Sequence, residues 1–319
     1  MKKIHKKAFS LIELSIVLVI IAIIIAGSLS ASTVSISNAK TKTSSDKIEQ
    51  IYKAIGNYVS INFRLPCPAR MDLTKTSGSY GAEAGTAGSC SSAGVYQSST
   101  QNTILYGMVP VQALGLSADM AEDGFGNRFA YIVNKDMTAA EYPSTTLTGA
   151  FSGHSETDST TLRLLQVSSS NTIDGNAFAI ISYGVNGFGA FKGNSTTQNA
   201  ASSDTYEQQN YVSSVNTGTT PYTADFGVVT GHTGRVVITY SNLSSDVFDD
   251  IVFAKSRTQM ALDFKAMFLI PCATSGNYSA AYYGQISYSS AACSSPHADI
   301  TPTKRCGAYG LWLDEQTCP

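Results

Sequence analysis

The chain opens Met1-Lys2-Lys3-Ile4-His5-Lys6-Lys7-Ala8-Phe9-Ser10-Leu11-Ile12-Glu13-Leu14, and from Phe9 to Leu29 it is apolar apart from three serines, Gly27 and a single charge, Glu13. About 20 apolar residues span a bilayer as a helix, and lysines crowded before such a run stay on the cytoplasmic side. The rest of the chain is therefore expected on the far side. Glu13 is the unusual residue, because a carboxylate at full depth costs about 2.5–3.5 kcal/mol on insertion scales and calls for a partner. No basic residue lies within the run. A cut just before Phe9 would create an α-ammonium four residues from Glu13, within reach of the same or a neighbouring chain. Two bland alternatives stand beside this reading. Glu13 is an interfacial residue that snorkels outward, or the whole segment is an ordinary secretory signal with a small-residue cut between Ser28 and Ser32. The run exceeds the 7–15 apolar residues usual in such signals, and Glu13 interrupts it.

The totals agree with export. Of 319 residues, 43% are hydrophobic and only 14% are charged, with a net charge of -2. Basic residues cluster nowhere but the extreme N-terminus, so nucleic-acid binding has no electrostatic support. Cys67, Cys90, Cys272, Cys293, Cys306 and Cys318 make an even set without a CxxC pair. Beyond an export signal they read as disulfides rather than metal ligands or free buried thiols. Six cysteines allow 15 pairings; the local set Cys67–Cys90, Cys272–Cys293 and Cys306–Cys318 is the expected one, each closing a loop for roughly 3 kcal/mol.

Past the apolar run, Ile48, Ile51, Tyr52, Ile55, Val59 and Ile61 recur at mostly helical spacing, which predicts one buried face of an amphipathic helix. Gly56 weakens that helix, and Pro66 and Pro68 end it. Residues 74–103 and 192–222 are poor in core formers and read as loops. Strands are expected after the Asp123-Gly124 turn to Val133, over Leu162–Val167, over Ala177–Tyr183, and over Arg235–Tyr240. Phe248–Phe253 closes the core region. Met260, Ala261, Phe264, Met267 and Phe268 predict a helix over 257–270. The remainder holds four cysteines and the only tryptophan, Trp312, and reads as a small stapled cap whose aromatics are core or contact surface.

The segment Ala8-Phe9-Ser10-Leu11-Ile12-Glu13-Leu14 resembles the processing site of type IV prepilins and of type II secretion pseudopilins. Where that family normally has Gly before the cut, this chain has Ala8. The resemblance implies cleavage between Ala8 and Phe9 by prepilin peptidase, N-methylation of Phe9, and registration of subunits through Glu13. It extends, with large insertions, to residue 253: Asp123–Tyr131, Ser182–Gly187 and Asp249–Ile251 are similar to three pseudopilin motifs. The implied fold is α+β, a long N-terminal helix with a membrane half and an amphipathic half packed on an antiparallel β-sheet, with loop insertions and a disulfide-rich C-terminal extension. The implied boundaries are a cleaved leader (1–8), a transmembrane helix (9–29), its amphipathic continuation (30–62), a pilin-like β domain (63–255) and the extension (256–319). Calcium is implied at Asn186, Asp249 and Asp250, against the plainer reading of a turn asparagine and a capping aspartate. The implied partners are other pilin or pseudopilin subunits, prepilin peptidase and the bacterial inner membrane. The domain would face the periplasm or form part of a surface fibre.

No catalytic constellation stands out. His154, His232 and His297 are isolated, and there is no nucleophile elbow or P-loop. Asp119, Glu122 and Asp123 read as a solvated turn. The expected function is thus a minor pilin or pseudopilin, a non-enzymatic structural subunit; the alternatives are a tip adhesin or substrate-binding module, and a membrane-tethered periplasmic enzyme.

Overall fold

The computed structural model describes residues 11–101, 103–139, 162–167, 169, 171–228, 235–241, 248–264, 278, 286–291, 293, 301–306 and 312–317, without the side chains of 24–33, 214, 286–288 and 312. Helix α1 runs unbroken through Leu11–Asn62, a rod of about 80 Å at 1.5 Å per residue. It ends where Phe63 turns left-handed (φ 54) and its N–H donates to the Val59 carbonyl at 2.8 Å. The helix therefore closes with its own terminal turn before Pro66 is reached.

The predicted face is the buried one. Ser44, Ile48, Ile51, Tyr52, Ile55 and Val59 are all buried, but Ile61 is 75% exposed and leaves the stripe one turn early. Gly56 has a positive purpose: a Cβ there would meet the Phe264 ring at 2.3 Å.

The strands of the main body are β1 (Tyr96–Ser98), β2 (Ile104–Met108), β3 (Ala130–Asn134), β4 (Leu162–Gln166), β5 (Thr172–Ser182), β6 (Ser213–Asn216), β7 (Tyr222–Asp225), β8 (Val237–Tyr240) and β9 (Ile251–Ser256). They form one sheet in the order β6-β7-β1-β2-β3-β5-β4-β8, with β9 pairing β5. The sheet is mixed rather than antiparallel as expected. β1 runs parallel to β7 and β4 parallel to β8. Parallel partners need long crossovers, and the stretches from Ser98 to Tyr222 and from Gln166 to Val237 supply them. The two regions read as loops also hold structure: β1 in the first, β6 and a 3-10 helix over Glu207–Asn210 in the second.

Helix α2 (Arg257–Asp263) follows β9 directly, opened by a capping box between Ser256 and Gln259. It is shorter than expected, with Phe264 at its C-cap, and the rest of the predicted helix lies outside the described residues. β10 (Ile286–Tyr288), β11 (Thr303–Cys306) and β12 (Trp312–Gln316) make a separate antiparallel sheet.

The Cys67–Cys90 disulfide is formed. Cys293 and Cys306 are each disulfide-bonded and buried. Cys272 and Cys318 lie outside the described residues, as do His154, His232 and His297.

Candidate functional site

Among the described residues, two regions have chemistry beyond packing. The first is the start of α1. Glu13 sits in its first turn among Leu11, Ile12, Leu14, Ile16, Val17 and Leu18, all exposed, with Leu11 87% and Leu18 58% accessible. A continuous apolar wall of this kind marks a membrane or subunit contact rather than a solvated surface. Among the described residues no helix is long and apolar enough to cross a membrane. The span expected over 9–29 falls partly outside the described residues, and so do Ala8 and Phe9.

The second region lies where the turn after β5 meets the strand that follows residue 248. Gly184 (φ 53) brings the turn so close to Asp249 that a Cβ would meet the carboxylate carbon at 2.4 Å. The Val185 and Asn186 N–H groups both donate to Asp249 Oδ2, the latter at 3.0 Å. The neighbouring Asp250 accepts from Asn210 Nδ2 at 2.8 Å, again on Oδ2. Asn210 is held in turn by the Thr239 backbone, N–H to Oδ1 and carbonyl to Nδ2, both at 3.1 Å. One turn earlier on the same 3-10 helix, Glu207 accepts from Asn186 Nδ2 at 2.6 Å on Oε1. Each of the three carboxylates therefore has one oxygen engaged. The others, Glu207 Oε2, Asp249 Oδ1 and Asp250 Oδ1, are buried and carry no hydrogen bond. The three residues can present one oxygen each within 4.8 Å of one another.

Such an arrangement is electrostatically unfavourable as it stands. Burial raises the Asp250 carboxyl well above its ordinary value, and the charges of Glu207, Asp249 and Asp123 add to the rise. Glu207 and Asp249 are raised as well, first by burial and, for Glu207, by the charge of Asp249. A hard divalent cation would supply the missing positive charge, and carboxylate oxygens are the kind of ligand calcium takes; the three here would fill three of its six to eight positions. Asp123, by contrast, is fully satisfied: Oδ1 accepts from the Phe125 and Asn127 N–H groups at 2.8 and 2.9 Å, and Oδ2 from the Ser182 hydroxyl at 2.7 Å. It staples the turn and has no oxygen to offer.

Of the residues expected at a calcium site, Asp249 and Asp250 are brought together and Asn186 lies beside them. Both ends of the Asn186 amide are in use, Nδ2 on Glu207 and Oδ1 accepting from the Phe188 N–H at 3.0 Å. It orients Glu207. Glu207 itself was hidden in a segment read as loop; the only sequence signal for it is Ser202 and Asp204 ahead of a short helix, with the Asp204 carboxylate accepting from the Glu207 N–H at 3.0 Å. The acidic group at 119–123 is structural: Lys75 bridges Asp119 and Glu122 at 3.0 and 2.8 Å.

No curated protein and no solved structure matches the chain. Residues 3–29 match the family model of the prokaryotic N-terminal methylation motif, and the chain thereby carries the prepilin signal of type IV pilins and pseudopilins.

Proposed function

We propose that the chain is a minor pilin or pseudopilin, a non-enzymatic structural subunit of a type IV pilus or a type II secretion pseudopilus. The observation that carries the reading is the methylation motif running directly into a 52-residue helix whose far half packs on the domain. In this reading prepilin peptidase cuts between Ala8 and Phe9, Phe9 is N-methylated, and residues 9–29 anchor the chain in the inner membrane with the domain outside. Subunits assemble by lateral packing of the apolar helices. Glu13 is the one acid in that apolar surface, and it neutralises the new α-ammonium of its own or a neighbouring subunit. The size of the domain and its insertions favour a minor position over a bulk fibre subunit.

Intact-mass and N-terminal analysis of the native protein tests the processing: the expected start is N-methylated Phe9, and retention of Met1 would sink the proposal. Glu13→Ala is expected to cut incorporation into fibres at least tenfold while the domain stays folded. Unchanged incorporation would remove the assembly role.

The domain is also proposed to bind calcium through Asp249 and Asp250. The support is the pair of buried carboxylate oxygens with no hydrogen bond. When bound, the cation supplies positive charge between acids that burial otherwise destabilises. For the full chain in detergent, calcium at 100 times its Kd is expected to add about 2.7 kcal/mol of stability. A melting temperature identical in calcium and in chelator would refute it.

A further inference from the structure

The sheet ends at β6, and among the described residues no strand pairs with the outer side of β6. Beside it the Glu207–Asn210 helix and the exit of β7 enclose an open cavity of about 230 Å³, with Gln208, Gln209, Tyr211, Ser213, Asp225 and Phe226 in its lining. Its walls are fixed by the fold. The Gly227 N–H donates to the Gln209 carbonyl at 3.1 Å, and the Asn210 amide bonds the Thr239 backbone through both its ends. The buried Tyr183 hydroxyl donates to the Asn210 carbonyl at 3.2 Å. On the far side Gly189 lies against the Tyr211 ring, so close that a Cβ there would meet it at 3.3 Å. Neither the prepilin reading nor the calcium reading bears on this cavity.

The lining is rich in acceptors whose matching donors are already committed. Gln208 and Gln209 donate through Nε2 to the Ser202 and Thr205 carbonyls, at 3.5 and 2.9 Å, which leaves their amide oxygens for a guest. The Ser213 hydroxyl donates to the Asp225 carbonyl at 3.3 Å. The Asp225 carboxylate accepts from the Ser99 hydroxyl on Oδ1, which leaves Oδ2. No lysine, arginine or histidine lines the cavity. An anion would therefore find no counter-charge. A cationic donor would find a carboxylate, two amide oxygens and the Tyr211 ring, all of which favour it. The volume lies below the roughly 300–1,000 Å³ of pockets for drug-sized ligands and suits one long side chain. We propose that the cavity takes the arginine or lysine side chain of an extended segment of a partner protein, whose backbone adds to the outer edge of β6. In strand addition the main chain supplies affinity and a side-chain pocket supplies selection. β6 has only four residues, so the ladder is weak by itself and the basic side chain decides which partner is held.

Fluorescence anisotropy with the full chain in detergent tests this. The probe is a dye-labelled seven-residue peptide of alternating valine and threonine with arginine at its centre. Its control carries citrulline there, which has nearly the same shape and no charge. The native chain is expected to bind the arginine peptide at least tenfold more tightly at low salt, with the advantage shrinking as salt screens the charge. Asp225→Asn keeps an oxygen for the Ser99 hydroxyl but removes the charge. It is expected to melt as the native chain does and to bring the two peptides within about twofold of each other. N-methylation of alternate amides on the arginine peptide reads the ladder: one of the two alternating sets is expected to cost at least tenfold in affinity, the other almost nothing. No binding of the arginine peptide at about 1 mM, equal binding of the two peptides by the native chain, or an undiminished preference in Asp225→Asn overturns the basic pocket. Indifference to both methylation sets overturns the strand addition.

Discussion

At the scale of single residues the domain contains two kinds of carboxylate that are at least half-buried, and their partners separate them. Glu83 is the satisfied kind. Arg64 donates to both its oxygens, at 2.6 and 3.0 Å, the Tyr58 hydroxyl donates at 2.7 Å and the Cys67 N–H at 2.6 Å. Burial alone would raise its carboxyl, but these donors and the guanidinium charge outweigh it and hold the group below its ordinary 4.5. A folded-state value below the unfolded one stabilises at pH above the unfolded value, and the contribution disappears as pH falls through the folded value. Glu83→Gln is therefore expected to cost about 2 kcal/mol at pH 7, leaving Arg64 largely buried without its counter-charge, and progressively less as pH falls below the ordinary carboxyl range towards the lowered folded value. Thermal unfolding of both proteins at pH 7 and pH 3.5 checks this; a gap that stays constant across that range would show that Glu83 acts by shape alone. Arg128 shows how a fully buried cation is managed with no carboxylate in hydrogen-bond contact among the described residues: it donates to the Met71 and Gly193 carbonyls, and its guanidinium lies 5.3 Å from the Tyr80 ring centre. No pattern in the sequence marks Arg128 as buried.

Between elements, the contact that registers α1 against the domain is a glycine. The turn at 123–127 lies so close to the helix that a Cβ on Gly124 would meet the Lys40 carbonyl oxygen at 2.2 Å, and the Gly124 N–H donates to the buried Ser44 hydroxyl at 2.9 Å. Lys47 holds the residues just ahead of that turn by donating to the Asp119 and Glu122 carbonyls at 2.8 and 2.7 Å. Backbone cannot give way as a side chain can, so Gly124→Ala is expected to destabilise by about 1–3 kcal/mol. Gly78→Ala, where a Cβ meets nothing within 4 Å, should melt within a degree or so of the native protein. Equal melting of the two would show that the helix and turn separate freely. What was legible in the sequence at this scale was local. The 3.6-residue period of Ile48, Ile51, Tyr52, Ile55 and Val59 gave the inner face of α1, and the Asp123-Gly124 pair gave a turn. That the turn touches Ser44, 80 residues away, left no local mark. The same holds for the parallel pairings of β1 with β7 and β4 with β8, whose partners are joined only through long connections. β2 was missed because its five residues are all buried and show no alternation. Glu207 was missed because a lone acid in a polar segment has no signature until the fold sets it opposite two others.

Taken whole, the molecule is a rod with a domain grown around one end, and two separate devices tie that domain together. The carboxylate cluster joins the turn after β5, the Glu207–Asn210 helix and the entry to β9. The Cys67–Cys90 disulfide joins the exit of α1 to the segment ahead of β1, with both sulfurs buried and 23 residues of separation. Closing a loop of that length removes about 3 kcal/mol of freedom from the unfolded chain, an effect that does not depend on any cation. Among the described residues the two devices share no residue and no hydrogen-bond partner, and independent sites contribute additively to within about 0.5 kcal/mol. Cys67→Ser with Cys90→Ser is therefore expected to lower the melting temperature by about 5–10 °C. The calcium-dependent increment should be the same in this double variant as in the native chain. Measuring both proteins in calcium and in chelator gives the four melting temperatures needed. A calcium increment that vanished with the disulfide would mean that the domain behaves as one cooperative clasp, in which the exit of α1 must be fixed before the carboxylates can converge.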